Sequence, residues 1–450
     1  MKKSKRKTKK RIFFLLFLCL MLIIIFLVLD YKEIMLSNIK LLDYNFETKD
    51  IKLEIDKANT LFHKEYDCII YKDSKEIKKE KCKDNCIISL NDPNNVEIRL
   101  KDKKVETKKH KLKDYIKNKF KVTLEDKELY LAKGESMPLK YKVDSIFDEE
   151  YNIKHTISNN KVIKVEDNKI TALDKGTSNI TIEDCDEVLK INVTDLITKA
   201  TLPEKLKSVI PCNHYSKEDS DLLDLYLEKK IEQVGKGTRA GVVEAARFLT
   251  LEFPYRIPYF FENGRMYYTG VRYIDGEGRY YHKGLYLHKD KMKDVKNNMF
   301  GPAIWGCPLK NQWDEVNYGF RKGQKVPNGL DCSGFVSWCI LNGGFDPGDM
   351  GAGASPRAKD LTDLGERLRL TSSLYNSNKI KAGDLASDDG HIGIIVGIKD
   401  GNIYVAETLP EYYGVVVRKY NEKNITKYFT HVVLMDKYYK NDGDYTSYWE

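Results

Sequence analysis

Hydrophobic and polar positions follow different patterns along this chain, and one segment close to the N-terminus has no polar positions at all. Residues 12–29 (IFFLLFLCLMLIIIFLVL) form an unbroken apolar run of 18 residues without a charge. At about 1.5 Å per residue, a helix of this length reaches about 27 Å, which is enough to cross the apolar core of a bilayer. The run predicts a transmembrane helix, with the short basic tail before it, over residues 1–30.

The alternative for this segment is a secretory signal that is removed from the mature protein. The apolar region of such a signal is usually about 7–15 residues long and is followed by a small-residue cleavage site. The stretch that follows here, LDYKEIMLSN, contains no such site, so we favour a retained anchor. Basic residues beside a transmembrane helix stay in the cytoplasm. We therefore expect a single-pass protein of a bacterial cell membrane, with everything after Asp30 on the cell-wall side.

Short stretches in which apolar and polar residues alternate continue to about residue 197. Such alternation, interrupted by Gly, Asp, Asn and Pro, is typical of half-buried strands. Residues 45–118 contain stretches such as 67–71 and 96–100, which predict a small immunoglobulin-like β domain. Residues 119–197 show strands at regular spacing, which predicts an antiparallel sandwich of the immunoglobulin type.

From about residue 200 the pattern changes to amphipathic helices and longer apolar strands. TRAGVVEAARFLTLEF has apolar residues at helical spacing behind a candidate N-cap, Thr238. GLDCSGFVSWCILNGGF predicts a helix that begins at Asp331 or Cys332 and ends at a glycine pair. We expect a multidomain protein: a transmembrane helix, one or two all-β sandwiches, and an α+β domain over residues 200–450.

The charge distribution argues against nucleic acid as a partner. The chain has 76 Lys and Arg residues, 67 Asp and Glu residues and a net charge of +9. Eight of the basic residues lie in the first eleven positions, which leaves 68 basic against 67 acidic residues in the rest. A nearly neutral body lacks the basic surface that is needed to neutralise phosphates.

The nine cysteines predict neither a disulfide framework nor a metal site. Cys68, Cys82 and Cys86 are close enough in sequence for one bridge, or for part of a metal site without an evident fourth ligand. No pairing follows from the spacing. The chain has no H-E-x-x-H motif and no phosphate-binding loop of the Walker type. We expect neither a metal nor an organic cofactor.

Cys332 is the candidate nucleophile. At the start of the predicted helix it would meet the positive end of the helix dipole and free backbone N–H groups, which favour a thiolate and can also hold an oxyanion. Cys339 lies seven residues on, on the same face of this helix, and is expected to pack in the core.

His391 is the candidate base, because it begins an apolar strand that leads to the turn residues Asp400 and Gly401. If these two belong to a three-residue bulged loop, Glu407 on the next strand lies opposite Gly393 and diagonal to His391. There it can fix the orientation and tautomer of the imidazole. A two-residue loop would turn Glu407 to the other face of the sheet.

These motifs resemble two known families. DCSGFV, AGDLASDDGHIGIIVG and IYVAET are similar to the three catalytic motifs of the NlpC family of papain-like cell-wall cysteine peptidases, over about residues 235–435. SNNKVIKVEDNKITALDKGTSNITI resembles the group 2 bacterial immunoglobulin-like domain. The NlpC resemblance implies a papain-like fold for residues 200–450. It also implies that Cys332 is the nucleophile, His391 the general base and then acid, and Glu407 the residue that orients His391.

The same resemblance implies a tyrosine that helps to hold the oxyanion. Tyr259 in IPYFFENG follows the expected helix, although the two glycines of the family pattern are absent there. PAIWGC keeps a Trp-Gly pair but has Ala303 in place of the tyrosine. We favour Tyr259 for its position, with Asp331 and Ser333 beside the nucleophile as the other candidates for oxyanion or substrate contacts.

The substrate that the resemblance implies is the stem peptide of peptidoglycan. The expected activity is that of an endopeptidase, often next to a γ-D-glutamyl-diaminopimelate bond. Two alternatives remain open: an N-acetylmuramoyl-L-alanine amidase with the same Cys-His chemistry, and a cell-surface adhesion or scaffold protein without activity. The β domains are either a spacer or a contact to wall polymers.

Overall fold

A computed structural model of the chain shows a multidomain protein that consists of many β-sheets and a few helices. It describes residues 2–32, 34–57, 64–83, 85–103, 105–116, 120–203, 205–260, 284–292, 304–310, 321–347, 350–351 and 360–444. The chain forms two compact units. The first unit consists of Met1–Glu125, Lys140–Thr156 and Thr181–Val188. The second unit consists of Asp126–Leu139, Ile157–Ile180 and Leu189–Glu450.

The N-terminal part of the first unit is one long helix, α1 (Lys2–Lys32). Its apolar side chains between Phe13 and Val28 are all exposed. Within the portion that the structure describes, no helix meets the length and hydropathy needed to cross a bilayer. Ile12 and Leu29, the ends of the predicted span, lie outside the residues whose side chains are described.

The first β module forms two antiparallel sheets. Its strands are β1 (Leu36–Tyr44), β2 (Asp50–Lys57), β3 (Tyr66–Lys72), β4 (Lys75–Cys82), β5 (Asn85–Asn91), β6 (Val96–Asp102), β7 (Val105–Glu106) and β8 (His110–Lys111). One sheet has the order β1-β2-β5, and the other has the order β4-β3-β6-β7 with β8 also on β6. Alternate residues point inward, so that Leu53, Ile70 and Ile98 are fully buried. A disulfide joins Cys82 to Cys86, and Cys68 stays a free, buried thiol.

The second β module is divided between the two compact units. Its strands are β9 (Phe120–Leu124), β10 (Glu128–Lys133), β11 (Ser136–Pro138), β12 (Tyr141–Ser145), β13 (His155–Ile157), β14 (Ile163–Glu166), β15 (Lys169–Ala172), β16 (Gly176–Ile182) and β17 (Val188–Thr198). The prediction of a purely antiparallel sandwich is wrong for one pair, because β10 and β17 run parallel. They are separated by most of the module in sequence, so no tight turn forces them to be antiparallel.

Within the second unit, the β10–β11 turn packs against the helical part of the chain. Glu135 accepts two hydrogen bonds from Lys230 Nζ at 2.8 and 2.9 Å. Glu252 lies 3.4 Å from the same ammonium, which is almost completely buried. Tyr130 also makes an edge contact with Tyr226, the ring centroids being 5.2 Å apart. This β turn is therefore part of the same packed body as the helices.

The C-terminal domain packs helices against both faces of an antiparallel sheet. The helices are α2 (Lys217–Val234), α3 (Arg239–Arg247), α4 (Cys332–Asn342), α5 (Ser372–Tyr375), α6 (Glu422–Ile425) and α7 (Asp436–Tyr439). The strands are β18 (Pro308–Lys310), β19 (Lys325–Pro327), β20 (Glu366–Arg369), β21 (Leu385–Asp388), β22 (His391–Lys399), β23 (Asn402–Leu409), β24 (Gly414–Tyr420) and β25 (His431–Leu434). The six-stranded sheet has the order β20-β25-β21-β22-β23-β24. Helices α3 and α4 pack against β22, and Thr238 caps α3 as predicted.

A buried ion pair holds α3 to this sheet. Arg239, the first residue of α3, is fully buried and donates from Nη1 to Asp384 Oδ1 at 2.8 Å. Its other nitrogens donate to Asp436 at 2.7 Å and to Asp442 at 2.9 Å. Asp384 precedes β21, and it also accepts from the backbone N–H of Met435 at 2.9 Å. The ion pair thereby fixes the helix layer against the strand beside β22.

Candidate active site

Cys332 is the first residue of α4, and Asp331 is its N-cap. The backbone of Asp331 is extended, and its carboxylate accepts hydrogen bonds from Gly334 N at 2.7 Å and from Ser333 Oγ at 3.1 Å. An Asp at this position supplies an acceptor for an N–H group that the helix itself leaves unpaired. The structure thus assigns helix-capping contacts to Asp331 and Ser333, two residues that we expected at the oxyanion or substrate side. Both remain next to the nucleophile.

The segment before Cys332 runs parallel to the segment that holds Tyr259. Leu330 N donates to Pro258 O at 3.0 Å, and Phe260 N donates to Leu330 O at 3.2 Å. A Cβ atom on Gly329 would lie only 1.9 Å from Pro258 O, so this close approach requires a glycine. Tyr259 therefore lies beside the residues that lead into the nucleophile.

The other oxyanion alternative falls largely outside the described structure. Ala303 and the residues that replace the family's glycine pair after Tyr259 are not among the described residues. The Trp305-Gly306 pair lies in a turn where Gly306 N donates to Asn328 O at 2.9 Å. The neighbouring Cys307 forms a disulfide with Cys212.

The thiol of Cys332 lies against the strand end that carries His391. Its Sγ is 3.9 Å from Gly390 O, and the backbone N–H of Ile392 also faces the sulfur. Gly390 and Ile392 are the two neighbours of His391, so the sulfur touches the backbone on both sides of the proposed base. Only 9% of the Cys332 surface is exposed.

Burial raises the pKa of the Cys332 thiol to about 12, and the charge of Asp331 adds to this effect. Hydrogen bonds from the backbone N–H groups of Ile392, Ser333 and Cys332 act in the opposite direction. The N–H groups of the helix terminus therefore favour a thiolate, as expected, but burial outweighs them. Exclusion of water from a buried anion outweighs the nearby N–H dipoles. The sulfur needs a base that removes its proton.

His391 is the predicted base, and its ring is held by two contacts. Its Nε2 lies 2.7 Å from Glu407 Oε2, and its ring stacks on Phe429 with centroids 5.7 Å apart and planes 21° apart. When Nε2 is the donor in this hydrogen bond, the ring proton lies on Nε2 and the carboxylate accepts the hydrogen bond. In a neutral ring the free lone pair is then on Nδ1. About a quarter of the His391 side chain is exposed, whereas Glu407 is fully buried.

The strand register that joins these two residues arises in an unexpected way. The predicted pairing of Glu407 with Gly393 is confirmed. The three-residue loop on which that pairing was conditional is not found, because Lys399 pairs directly with Asn402 across a two-residue turn. Asp400 and Gly401 both have positive φ angles, 50° and 68°, as a type I′ turn requires. A bulge between Ile395 and Gly397 then shifts the register by one residue and returns Glu407 to the face of His391.

Two residues that we did not predict complete the surroundings of Glu407. Arg418 Nε donates to Glu407 Oε1 at 2.8 Å, and Tyr420 Oη donates to the same oxygen at 2.6 Å. Both lie on β24, two positions apart and therefore on one face of the sheet. That spacing was visible in the sequence, but the pairing of β24 depends on Tyr413, whose left-handed conformation ends the turn after β23.

These contacts bring together three of the predicted residues, Cys332, His391 and Glu407, at the junction of α4 and β22. The arrangement places a buried thiol at a helix N-terminus, against the backbone on both sides of a histidine whose ring is paired with a buried carboxylate. In the part of the chain that the structure describes, no group of three His, Cys, Asp or Glu side chains could hold a metal ion.

No protein-family model matches this chain, and no curated protein matches it. The geometry and chemistry of the site are therefore the basis for a functional assignment.

Proposed function

We propose that this protein is a membrane-anchored cysteine hydrolase that cleaves amide bonds in the stem peptides of peptidoglycan. One observation carries the proposal: the Cys332 sulfur lies against Gly390 O and the N–H of Ile392, the two neighbours of His391, whose Nε2 is 2.7 Å from the buried Glu407. A nucleophile, a base and a group that orients the base are the three parts of a nucleophilic acyl-transfer site.

The proposed reaction begins with proton transfer from Cys332 Sγ to His391 Nδ1. The sulfur then attacks the carbonyl carbon of the amide, and the negative charge that develops on oxygen is stabilised by N–H groups at the start of α4. Tyr259, whose backbone lies beside Leu330, is the proposed further donor. The sulfur becomes covalently bound in this step. The thiolate, which burial disfavours, therefore exists only briefly during the reaction.

Collapse of the tetrahedral intermediate breaks the C–N bond. His391 gives its proton to the leaving amine, and a thioester to Cys332 remains. Water then attacks the thioester carbon while His391 Nδ1 accepts its proton, and that proton returns to sulfur as the acid product leaves. No redox step or metal ion is involved in this sequence.

The assignment to the cell wall depends on the likeness of DCSGFV and AGDLASDDGHIGIIVG to the NlpC family and on the predicted location of the domain. The exposed apolar surface of α1, behind its basic start, suits a helix that is held in a bilayer. The disulfides Cys82–Cys86 and Cys212–Cys307 suit an oxidising compartment outside the cytoplasm. The two β modules would then carry the hydrolase away from the membrane and are the candidate contacts to wall polymers.

Mass spectrometry of peptidoglycan fragments tests this proposal. Full-length protein in mild detergent is incubated with purified peptidoglycan, in parallel with Cys332→Ala and Cys339→Ala. Cys339 is fully buried two turns deeper in α4, so its variant is the matched control. We expect new peptide termini with the wild type and with Cys339→Ala, and none with Cys332→Ala.

The fragments also identify the bond. Cleaved stem peptides that remain on the glycan indicate an endopeptidase, whereas bare glycan strands with whole free stem peptides indicate an amidase. Equal release by Cys332→Ala would exclude the cysteine mechanism. Wall binding without release by any of the three proteins would favour the adhesion alternative.

A further inference from the structure

The carboxylate that orients His391 has hydrogen-bond partners on both oxygens. Glu407 Oε2 lies 2.7 Å from His391 Nε2, and Oε1 accepts from both Arg418 and Tyr420. Glu407 is fully buried, and only 15% of the Arg418 side chain is exposed. The charged and titratable groups that face this carboxylate therefore come from two strands, β22 with His391 and β24 with Arg418 and Tyr420.

The charge of Glu407 decides which nitrogen of His391 can act as a base. A carboxyl group that is buried without a compensating charge takes up a proton and becomes neutral. A neutral carboxyl group can donate its proton to His391 Nε2, and the ring proton would then lie on Nδ1. Nδ1 is the nitrogen that must accept the proton of Cys332, so protonation of Glu407 would disable the site without moving any residue.

Arg418 is held where it supplies the compensating charge. Its guanidinium carbon lies 4.3 Å from the ring centre of Tyr428, 4.9 Å from that of Tyr420 and 5.6 Å from that of Tyr412. Such stacking fixes the planar group and is itself favourable for a cation. An arginine side chain is not deprotonated in proteins, so its charge is permanent.

Tyr420 supplies a second hydrogen bond to Glu407. Burial, and then the charge of Glu407, raises the pKa of the Tyr420 phenol, so the hydroxyl keeps its proton and remains a donor. Arg418 Nη2 donates to the hydroxyl oxygen of Tyr420, which fixes the direction of that hydroxyl. Arg418 therefore acts on Glu407 both directly and through Tyr420.

We propose that Arg418 and Tyr420 are positioning residues that compensate the charge of Glu407 and hydrogen-bond to it, and that they thereby hold His391 in the tautomer with its proton on Nε2 and its lone pair on Nδ1. This inference rests on the proposed function, because it gives the tautomer its purpose. Neither residue touches the reacting atoms.

The ring ¹⁵N chemical shifts of His391 test the proposal directly. They are measured on the full-length protein in detergent micelles with ¹⁵N-labelled histidine, and His391→Gln identifies the signals. At neutral pH we expect the Nε2–H tautomer in the wild type and in Arg418→Lys, which keeps the charge. In Arg418→Met, which keeps the length but not the charge, we expect the Nδ1–H tautomer.

Tyr420→Phe tests the same idea if Arg418→Met fails to fold. It removes one hydrogen bond and leaves the charge of Arg418 in place, so we expect a mixture of the two tautomers. If Arg418→Met folds and keeps the Nε2–H tautomer, the proposal is overturned. If Arg418→Met does not fold, an unchanged Nε2–H tautomer in Tyr420→Phe overturns it.

Peptidoglycan turnover provides the second measurement. A wrong tautomer removes the base without affecting substrate binding, so kcat should fall about 10²–10⁴-fold in Arg418→Met at a nearly constant KM. Arg418→Lys should recover most of this loss. If the wild type releases no fragments, the proposed function fails, yet the tautomer measurement still decides the role of Arg418.

Discussion

Glu407 lies directly opposite Gly393 in the β22–β23 pair, and the absence of a side chain on Gly393 leaves room for the Glu407 carboxylate to reach His391. A Cβ atom on Gly393 would lie 2.6 Å from Val405 Cγ1, 2.9 Å from Ala406 O and 3.1 Å from Glu407 Cβ. One of these contacts is to backbone, which cannot move aside by a change of rotamer. The glycine in HIGIIVG is thus part of the geometry of the site.

Gly393→Ala is therefore expected to lower turnover although the residue has no chemical role. The strands must separate by a few tenths of an ångström, which lengthens the hydrogen bond between His391 and Glu407, and we expect kcat to fall about 10–100-fold. Gly351→Ala is the matched control, because no described atom lies within 4 Å of its added Cβ. Equal activity of both variants would show that the sheet absorbs the methyl group without affecting the site.

Glu407→Gln separates the charge of the orienting residue from its shape. The amide keeps the volume and can accept from Nε2, but it leaves the charge of Arg418 uncompensated in a buried position. We expect kcat to fall about 10²–10⁴-fold at a nearly unchanged KM, and a loss of stability of about 3 kcal/mol. Steady-state kinetics and urea unfolding measure the two effects. Unchanged kinetics would assign the orientation of His391 to another residue.

The sequence alone was sufficient for the start of α4, whereas the pairing of Gly393 with Glu407 followed from it only on the condition of a three-residue loop. The sequence did not distinguish between two turn geometries, because a two-residue turn together with a bulge gives the same register as a three-residue loop. Arg418 could not be placed, because the register of β24 depends on the left-handed conformation of Tyr413. The contact of Lys230 with Glu135 joins positions that are 95 residues apart in sequence, and no local pattern indicates it.

The reactivity of Cys332 should depend steeply on pH once His391 is removed. Only the thiolate reacts with alkylating reagents. Because the pKa of the Cys332 thiol is about 12, the thiolate fraction increases tenfold with each unit of pH as long as the pH stays below 12. In His391→Gln we therefore expect alkylation by iodoacetamide to increase tenfold per pH unit between pH 7 and pH 10. The wild type should react faster at neutral pH and depend less on pH, because His391 can accept the proton. Cys332→Ala gives the background from the other thiols, and a pH-independent rate in His391→Gln would contradict the burial argument.

The ion pair between Arg239 and Asp384 should contribute strongly to the stability of the C-terminal domain. Both side chains are fully buried, so Arg239→Met leaves Asp384 without its cation, and we expect a loss of about 3–5 kcal/mol in the free energy of unfolding. The exposed pair between Lys381 and Asp436, 2.9 Å apart, is the control. Lys381→Met should cost less than about 1 kcal/mol, because solvent screens that pair. Unfolding in urea, followed by tryptophan fluorescence, compares the two variants.

Tyr413 stores backbone strain beside the site, and its release is measurable. Its φ of 53° and ψ of 33° lie in the left-handed region, where a residue other than glycine pays about 1–2 kcal/mol. The conformation lets Tyr413 O accept from Tyr259 N at 3.2 Å, while the side chain is 73% exposed. Tyr413→Gly should therefore stabilise the protein by about 1 kcal/mol, which corresponds to a rise of about 2–4 °C in Tm. Tyr413→Ala keeps the Cβ atom and the strain, so it should show no such gain. An equal gain in both variants would assign the effect to loss of the exposed ring instead of to the backbone.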